Sequence, residues 1–240
     1  MGTVVNGERR RFGPISNDTS GLATTLGQIG GEGVCRWKML MNGMHLEGHW
    51  NCVEYVVIEP GGSVGEHVHV RTEEIYYIIS GQAQMKINGE VIPCSAGDLI
   101  TAPIGTAHGI ENRSAEEVRF FVVEVFPGEG AAPKPALVHL PTLTAINGST
   151  DVNLKPYFTG DWCRFRLLEI AAQSHEDAVT TNSEVVHVLN GSASICVSDQ
   201  WHYQGKDGLS VALPPGTLRR ISNAASNEPL RLIITEVAVA

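Results

Sequence analysis

The two halves of the chain carry the same punctuation. Glu74 and Gly81 recur as Glu184 and Gly191, 110 positions later. Gly97, Pro103, Gly105 and Asn112 recur as Gly208, Pro214, Gly216 and Asn223, 111 positions later, and Cys52 and Cys163 share that spacing. A nearly fixed offset with one slip marks a duplicated unit. Gly and Pro fall where a chain turns, so the repeat predicts the same turns in both copies.

Between the turns lie short apolar runs rich in β-branched and aromatic residues: 53–58, 75–79, 84–87 and 118–126, then 165–170, 185–189, 193–197, 209–213 and 230–237. Such runs read as strands, and no long stretch keeps a helical period. Asn88-Gly89 between two of them is a hairpin signal, because both residues accept positive φ. The pattern predicts an all-β protein of the sandwich or barrel type. Residues 127–141 interrupt it with Pro127, Pro133, Pro135 and Pro141, which block ladder donors, and with Gly128 and Gly130. The expected organisation is an N-terminal arm or edge strand at 1–35, a first unit at 36–127, a linker at 128–145 and a second unit at 146–240.

Composition narrows the partners. Apolar residues make up 42% of the 240, enough for a proper core. The formal charge of −9 and the lack of a basic block argue against nucleic acid. No apolar run approaches the ~18 residues of a membrane span, so no membrane partner is expected. Residues 1–14 have no apolar stretch behind Arg9, Arg10 and Arg11, so no secretory leader is expected, and Asn6 stands where a myristoylation motif needs Ser or Thr. Cys35, Cys52, Cys94, Cys163 and Cys196 form no CxxC pair, which suits reduced thiols and a cytoplasmic location.

The chemistry sits in the first half. His67 and His69 are two apart, so on a strand they share a face. Glu74 can return beside them after a short excursion, and His108 follows a Pro-Gly turn from another strand. Three imidazoles and one carboxylate suit a single divalent first-row metal, with Fe(II) or Mn(II) favoured and Ni, Co, Cu or Zn possible. Four protein donors leave up to two octahedral positions for water, substrate or dioxygen.

These residues resemble the two motifs of the cupin superfamily. Gly61-x5-His67-x-His69-x4-Glu74-x6-Gly81 is similar to the first, and Gly97-x5-Pro103-x-Gly105-x2-His108-x3-Asn112 to the second, with fifteen residues between them. The resemblance implies two tandem jelly-roll barrels and assigns His67, His69, Glu74 and His108 as metal ligands in the N-terminal one.

The second half resembles a cupin without the metal set. At the repeat offsets Asp177 replaces His67, Val179 replaces His69 and Arg219 replaces His108, while Glu184 remains. Arg219 is expected either to stand in for the metal between Asp177 and Glu184, or to leave Asp177 solvated. A second barrel would also shield an open edge of the first.

Two further residues are candidates for catalysis. If Glu74 faces the barrel interior, so do Tyr76 and Ile78, with Ile75 and Tyr77 facing away. Ala83, Met85 and Ile87 form the apolar face across the hairpin. Glu124 interrupts the apolar run 120–126. It is a proton carrier if Phe120 and Val122 point inward, and a surface residue under the opposite parity, which puts Phe121, Val123 and Val125 inward and is the parity favoured from sequence. Three functional readings remain. The one adopted from sequence is a metal-dependent oxygenase of the cupin dioxygenase type acting on a small metal-chelating metabolite. The alternatives are a non-redox isomerase, cyclase or decarboxylase using the metal as Lewis acid, and a metal-containing small-ligand binding protein. A homodimer through residues 1–35 is compatible with each.

Overall fold

A computed structural model describes residues 13–142, 148–225 and 227–239. The expectations for Arg9–Arg11 and Asn6, and part of the 128–145 segment, lie outside the described residues. The chain forms two tandem jelly-roll barrels, each built from one large and one small antiparallel sheet. In the first half the large sheet runs Ala136–His139, Asp98–Ala102, Glu73–Ser80, Val118–Val125, Trp50–Ile58, Val34–Asn42, Ala23–Leu26. Its small partner runs Ser63–Val68, Ala107–Glu111, Gln82–Ile87, Glu90–Ser95. The second half has a six-stranded sheet running Ile15–Asn17, Ser210–Leu213, Ser183–Asn190, Leu230–Val237, Trp162–Ile170, Ser149–Asn153. Opposite it lie His175–Val179, Leu218–Asn223, Ala193–Val197 and Trp201–Gly205.

The repeated residues do repeated work. Asn112 donates to the carbonyls of Ile58 and Glu116, and Asn223 donates to those of Ile170 and Glu228. Gly97 and Gly208 both sit at positive φ, where a side chain would also strike Pro141 or Thr19 respectively. Asn88 and Gly89 have φ of 50° and 84°, as the hairpin turn requires.

Three apolar clusters account for the packing. One fills the first barrel, with Tyr76, Ile78, Met85, Ile87, Phe120 and Val122 among its members. A second fills the other barrel. The third is the seam between the large sheets, where Ile75, Tyr77, Phe121, Val123 and Val125 meet Trp162, Phe165, Val185, Ile233 and Val237. Strands of the large sheets are therefore apolar on both faces. The second barrel covers a sheet face rather than shielding an edge.

The edges are filled by exchanged strands. Ile15–Asn17, from the N-terminal arm, pairs with Ser210–Leu213 of the second barrel. Ala136–His139, from the segment expected to be linker, pairs with Asp98–Ala102 of the first barrel. The prolines at 133 and 135 stop just before that strand, so the residues that pair keep their N–H donors. Among the described residues no helix is long and apolar enough to cross a membrane.

Candidate metal centre

Four side chains converge inside the first barrel. His67 belongs to Ser63–Val68 and pairs across the ladder with His108 of Ala107–Glu111. His69 lies just beyond the first of these strands, and Glu74 is the second residue of Glu73–Ser80. One donor atom from each lies within 4.8 Å of the others. The Nε2 atoms of His67 and His69 are 3.0 Å apart, and His108 Nε2 is 2.8 Å from Glu74 Oε2.

The rings are oriented from behind. Nδ1 of His67 lies 2.8 Å from the Gly65 carbonyl, and Nδ1 of His108 lies 3.0 Å from the Thr106 carbonyl. A carbonyl only accepts, so in both rings Nδ1 carries the proton and Nε2 turns a lone pair to the centre. Nδ1 of His69 has Thr72 Oγ1 at 2.7 Å. Burial lowers the pKa of His67 and His108, which keeps both rings neutral. Burial pushes Glu74 up to about 8. Glu74 Oε2 and His108 Nε2 are buried yet make no hydrogen bond. Burial leaves Glu74 holding a proton at neutral pH, and an ion among the four donors would displace it and satisfy both buried atoms. The donors therefore fit a divalent first-row ion.

Further carboxylates surround this set. The ladder places Glu124 directly beside Glu74, with Cys52 on its other side. Glu124 Oε2 is 3.7 Å from His69 Nδ1 and accepts a 2.8 Å hydrogen bond from Asn51 Nδ2. Glu124 thus points inward with Phe120 and Val122, and the parity favoured from sequence, which made it a surface residue, is corrected. Phe121, Val123 and Val125 face the seam, which is as apolar as the lumen, so hydrophobicity could not tell the faces apart. Tyr76 also lies inside, its ring 5.6 Å from that of His108, and burial together with Glu74 raises its hydroxyl pKa well above the usual value.

Sequence reasoning missed Glu54 and Asn51, and it placed Thr72 in the loop beside the ligands as a substrate contact rather than behind His69. Glu54 occupies the row below Glu124, opposite Val122. Burial, then Glu124 and Glu74, push it up to about 7. The signal was available, since a glutamate between Val53 and Val56 breaks an apolar strand as Glu124 does. Burial also raises the Cys52 thiol pKa, so it stays protonated.

The second barrel fills the equivalent place with ion pairs. Arg219, 2% exposed, donates from Nε to Glu184 at 2.9 Å and from Nη1 to Glu176. Arg166 donates to the same Glu176 at 2.8 Å, and Arg164 to Glu236. Asp177 is not part of this network; it pairs with Arg220 on the exterior at 2.7 Å. The expectation of an Arg219–Asp177 contact is corrected to Glu176. In a strand adjacent residues face opposite ways, and Glu176 is the inward one.

A cupin-domain profile matches residues 54–124. An oxalate-binding protein of Thermotoga maritima is 32% identical over 94 residues, which cover 39% of this chain and 78% of that protein. The chain belongs to the cupin superfamily. Polyketide synthase CurC of Streptomyces cyaneus is 34% identical over 86 residues, 36% of this chain, and the match spans only about half, 53%, of that relative. Among solved structures, YlbA of E. coli aligns with a TM-score of 0.77 over 98% of this chain and 94% of its own, at 18% identity. A variant of Bacillus subtilis oxalate decarboxylase aligns at 0.73 over 99% and 78%, at 16% identity. Both likenesses concern the fold.

Proposed function

We propose that this chain is a metal-dependent enzyme that moves a proton on a small, oxygen-chelating acid, in a decarboxylation, isomerisation or cyclisation without net oxidation. The observation that carries this reading is Glu124, an inward carboxylate beside Glu74 on the ladder and 3.7 Å from Nδ1 of His69. A carboxylate in that place can carry a proton to or from a chelated substrate, which is the step that decarboxylation, isomerisation and cyclisation share. A bound divalent ion supplies Lewis acidity toward a chelated carboxylate or carbonyl. Mn(II) or Fe(II) suits the mixed imidazole and carboxylate donors, and Mn(II) centres are described for the Bacillus oxalate decarboxylase.

The chain's own groups do the rest. His67, His69 and His108, with Glu74, would hold the ion. Asn51 donates to Glu124 Oε2 and fixes the carboxylate that would take or give a proton. Glu54, pushed up to about 7 by burial and then by Glu124 and Glu74, lies one row from Glu124 and is placed to share that proton. Tyr76 shapes the wall beside His108 and is a candidate hydrogen-bond donor to substrate. The similarity to an oxalate-binding protein supports a ligand with two adjacent oxygen donors. The test is a screen of dicarboxylates, α-keto acids and enols with Mn(II)-loaded protein, monitoring product mass and dissolved oxygen. Turnover without net oxygen consumption, lost in Glu124→Gln, supports the reading. Stoichiometric oxygen uptake with oxygen incorporated into product returns the assignment to an oxygenase.

A further inference from the structure

Resting on the metal reading above, we propose that Glu73 is a positioning residue through which the second barrel holds Glu74, and with it the metal centre, in place. Glu73 is fully buried and faces the seam, opposite in direction to Glu74. Its carboxylate accepts four hydrogen bonds, all from one segment of the second half. The donors are Thr159 N at 2.9 Å, Thr159 Oγ1 at 2.8 Å, Gly160 N at 2.8 Å and Trp162 Nε1 at 3.2 Å. The cradle is closely fitted: a Cβ at Gly160 would lie 3.0 Å from Glu73 Oε2 and 2.5 Å from the Phe126 carbonyl. Trp162 is itself clamped, stacked on Phe158 with ring centroids 4.5 Å apart.

Three consecutive residues then link the other barrel to the centre. Thr72 Oγ1 holds Nδ1 of His69, Glu73 locks into the second barrel, and Glu74 presents its carboxylate to the imidazoles. Thr72 and Glu74 flank Glu73 in the chain, so anchoring its buried side chain bears on the backbone of Glu74 and on the approach of Thr72 to His69. A support of this kind, one layer behind the donors, commonly controls metal affinity. The fold supplies its own control. Trp50 Nε1 donates at 3.0 Å to Ser183 Oγ across the same seam. Ser183 precedes Glu184 as Glu73 precedes Glu74, but Glu184 pairs with Arg219 instead of facing three imidazoles.

The experiment compares Glu73→Gln, Trp162→Phe and Ser183→Ala with wild type, measuring Mn(II) affinity by calorimetry, the Mn(II) EPR line shape and the Tm of the metal-free protein. A glutamine amide would turn its NH2 toward the donors of the cradle, while Trp162→Phe removes a single donor. The expected result is a Mn(II) affinity lower by on the order of tenfold in Glu73→Gln, with an altered EPR line shape. Trp162→Phe shifts both in the same direction by less, and keeps the inference testable if Glu73→Gln does not fold. Ser183→Ala lowers Tm and leaves affinity and line shape unchanged. The inference is overturned if Glu73→Gln or Trp162→Phe lowers Tm alone, or if Ser183→Ala weakens Mn(II) as much as they do. Failure of wild type to bind Mn(II) would instead remove the metal reading itself.

Discussion

Arg219 Nε stands 2.9 Å from Glu184 Oε2, where His108 Nε2 stands 2.8 Å from Glu74 Oε2 in the other barrel. The duplicated unit thus kept its buried carboxylate and exchanged an imidazole for a permanent cation. A guanidinium brings its own charge, so this barrel needs no ion to neutralise Glu184 and Glu176. Breaking a buried pair on one side strands the other. Arg219→Ala is expected to cost about 3–5 kcal/mol in urea denaturation, with the metal content of the first barrel unchanged.

Glu124 is expected to act after metal binding. In Glu124→Gln the amide keeps the shape and the Asn51 neighbour but cannot carry the proton. Metal content should stay at the wild-type level while turnover falls about 100-fold or more. Loss of metal in this variant would make Glu124 a ligand instead.

The metal-free site should be penalised by high pH. Burial raises Glu74 to about 8 and Glu54 to about 7, above their unfolded values. The folded chain therefore binds more protons than the unfolded chain from about pH 4.5 to 8, and that contribution to stability declines as pH rises through this window. Ion binding must displace the Glu74 proton. Calorimetry in buffers of different ionisation enthalpy should show about one proton released per ion at pH 7, and an affinity that falls as pH is lowered below 8.

His187 produces the opposite slope at acid pH. It is buried in the seam, its ring 4.7 Å from Phe121 and its Nδ1 2.8 Å from Ser210 Oγ, and burial lowers its pKa to about 3. Its neutral form favours the fold above the unfolded value of 6.5, and that advantage is lost as pH falls from 6.5 toward 3. The loss reaches roughly 4 kcal/mol at the acid end. His187→Gln should flatten the stability profile between pH 6 and 4.

The exchanged edge strands make the halves interdependent. Removing residues 1–17 deletes Ile15–Asn17 and the Pro14 carbonyl that accepts from the Tyr203 hydroxyl at 3.0 Å. Hydrogen exchange should then rise in Ser210–Leu213, and self-association should increase through the bared edge.

The chemistry was more legible in the sequence than the packing. The spacing of His67, His69, Glu74 and His108 reports strand alternation plus two turns, all local physics. The inward face of Val118–Val125 was not legible, because lumen and seam are both apolar and only the partner strands decide. Glu176 and Asp177 are adjacent acids, and a repeat offset with a slip cannot say which points inward. The strand Ala136–His139 was hidden behind prolines that stop just short of it.

Metal content per chain, measured by elemental analysis on wild type and His108→Ala after loading with Mn(II) or Fe(II), tests the account most directly. One ion per wild-type chain, and loss of most of it in a His108→Ala protein that remains folded, is the expected result. A wild-type chain that holds no ion under any loading, or a His108→Ala chain that binds as tightly as wild type, would contradict it.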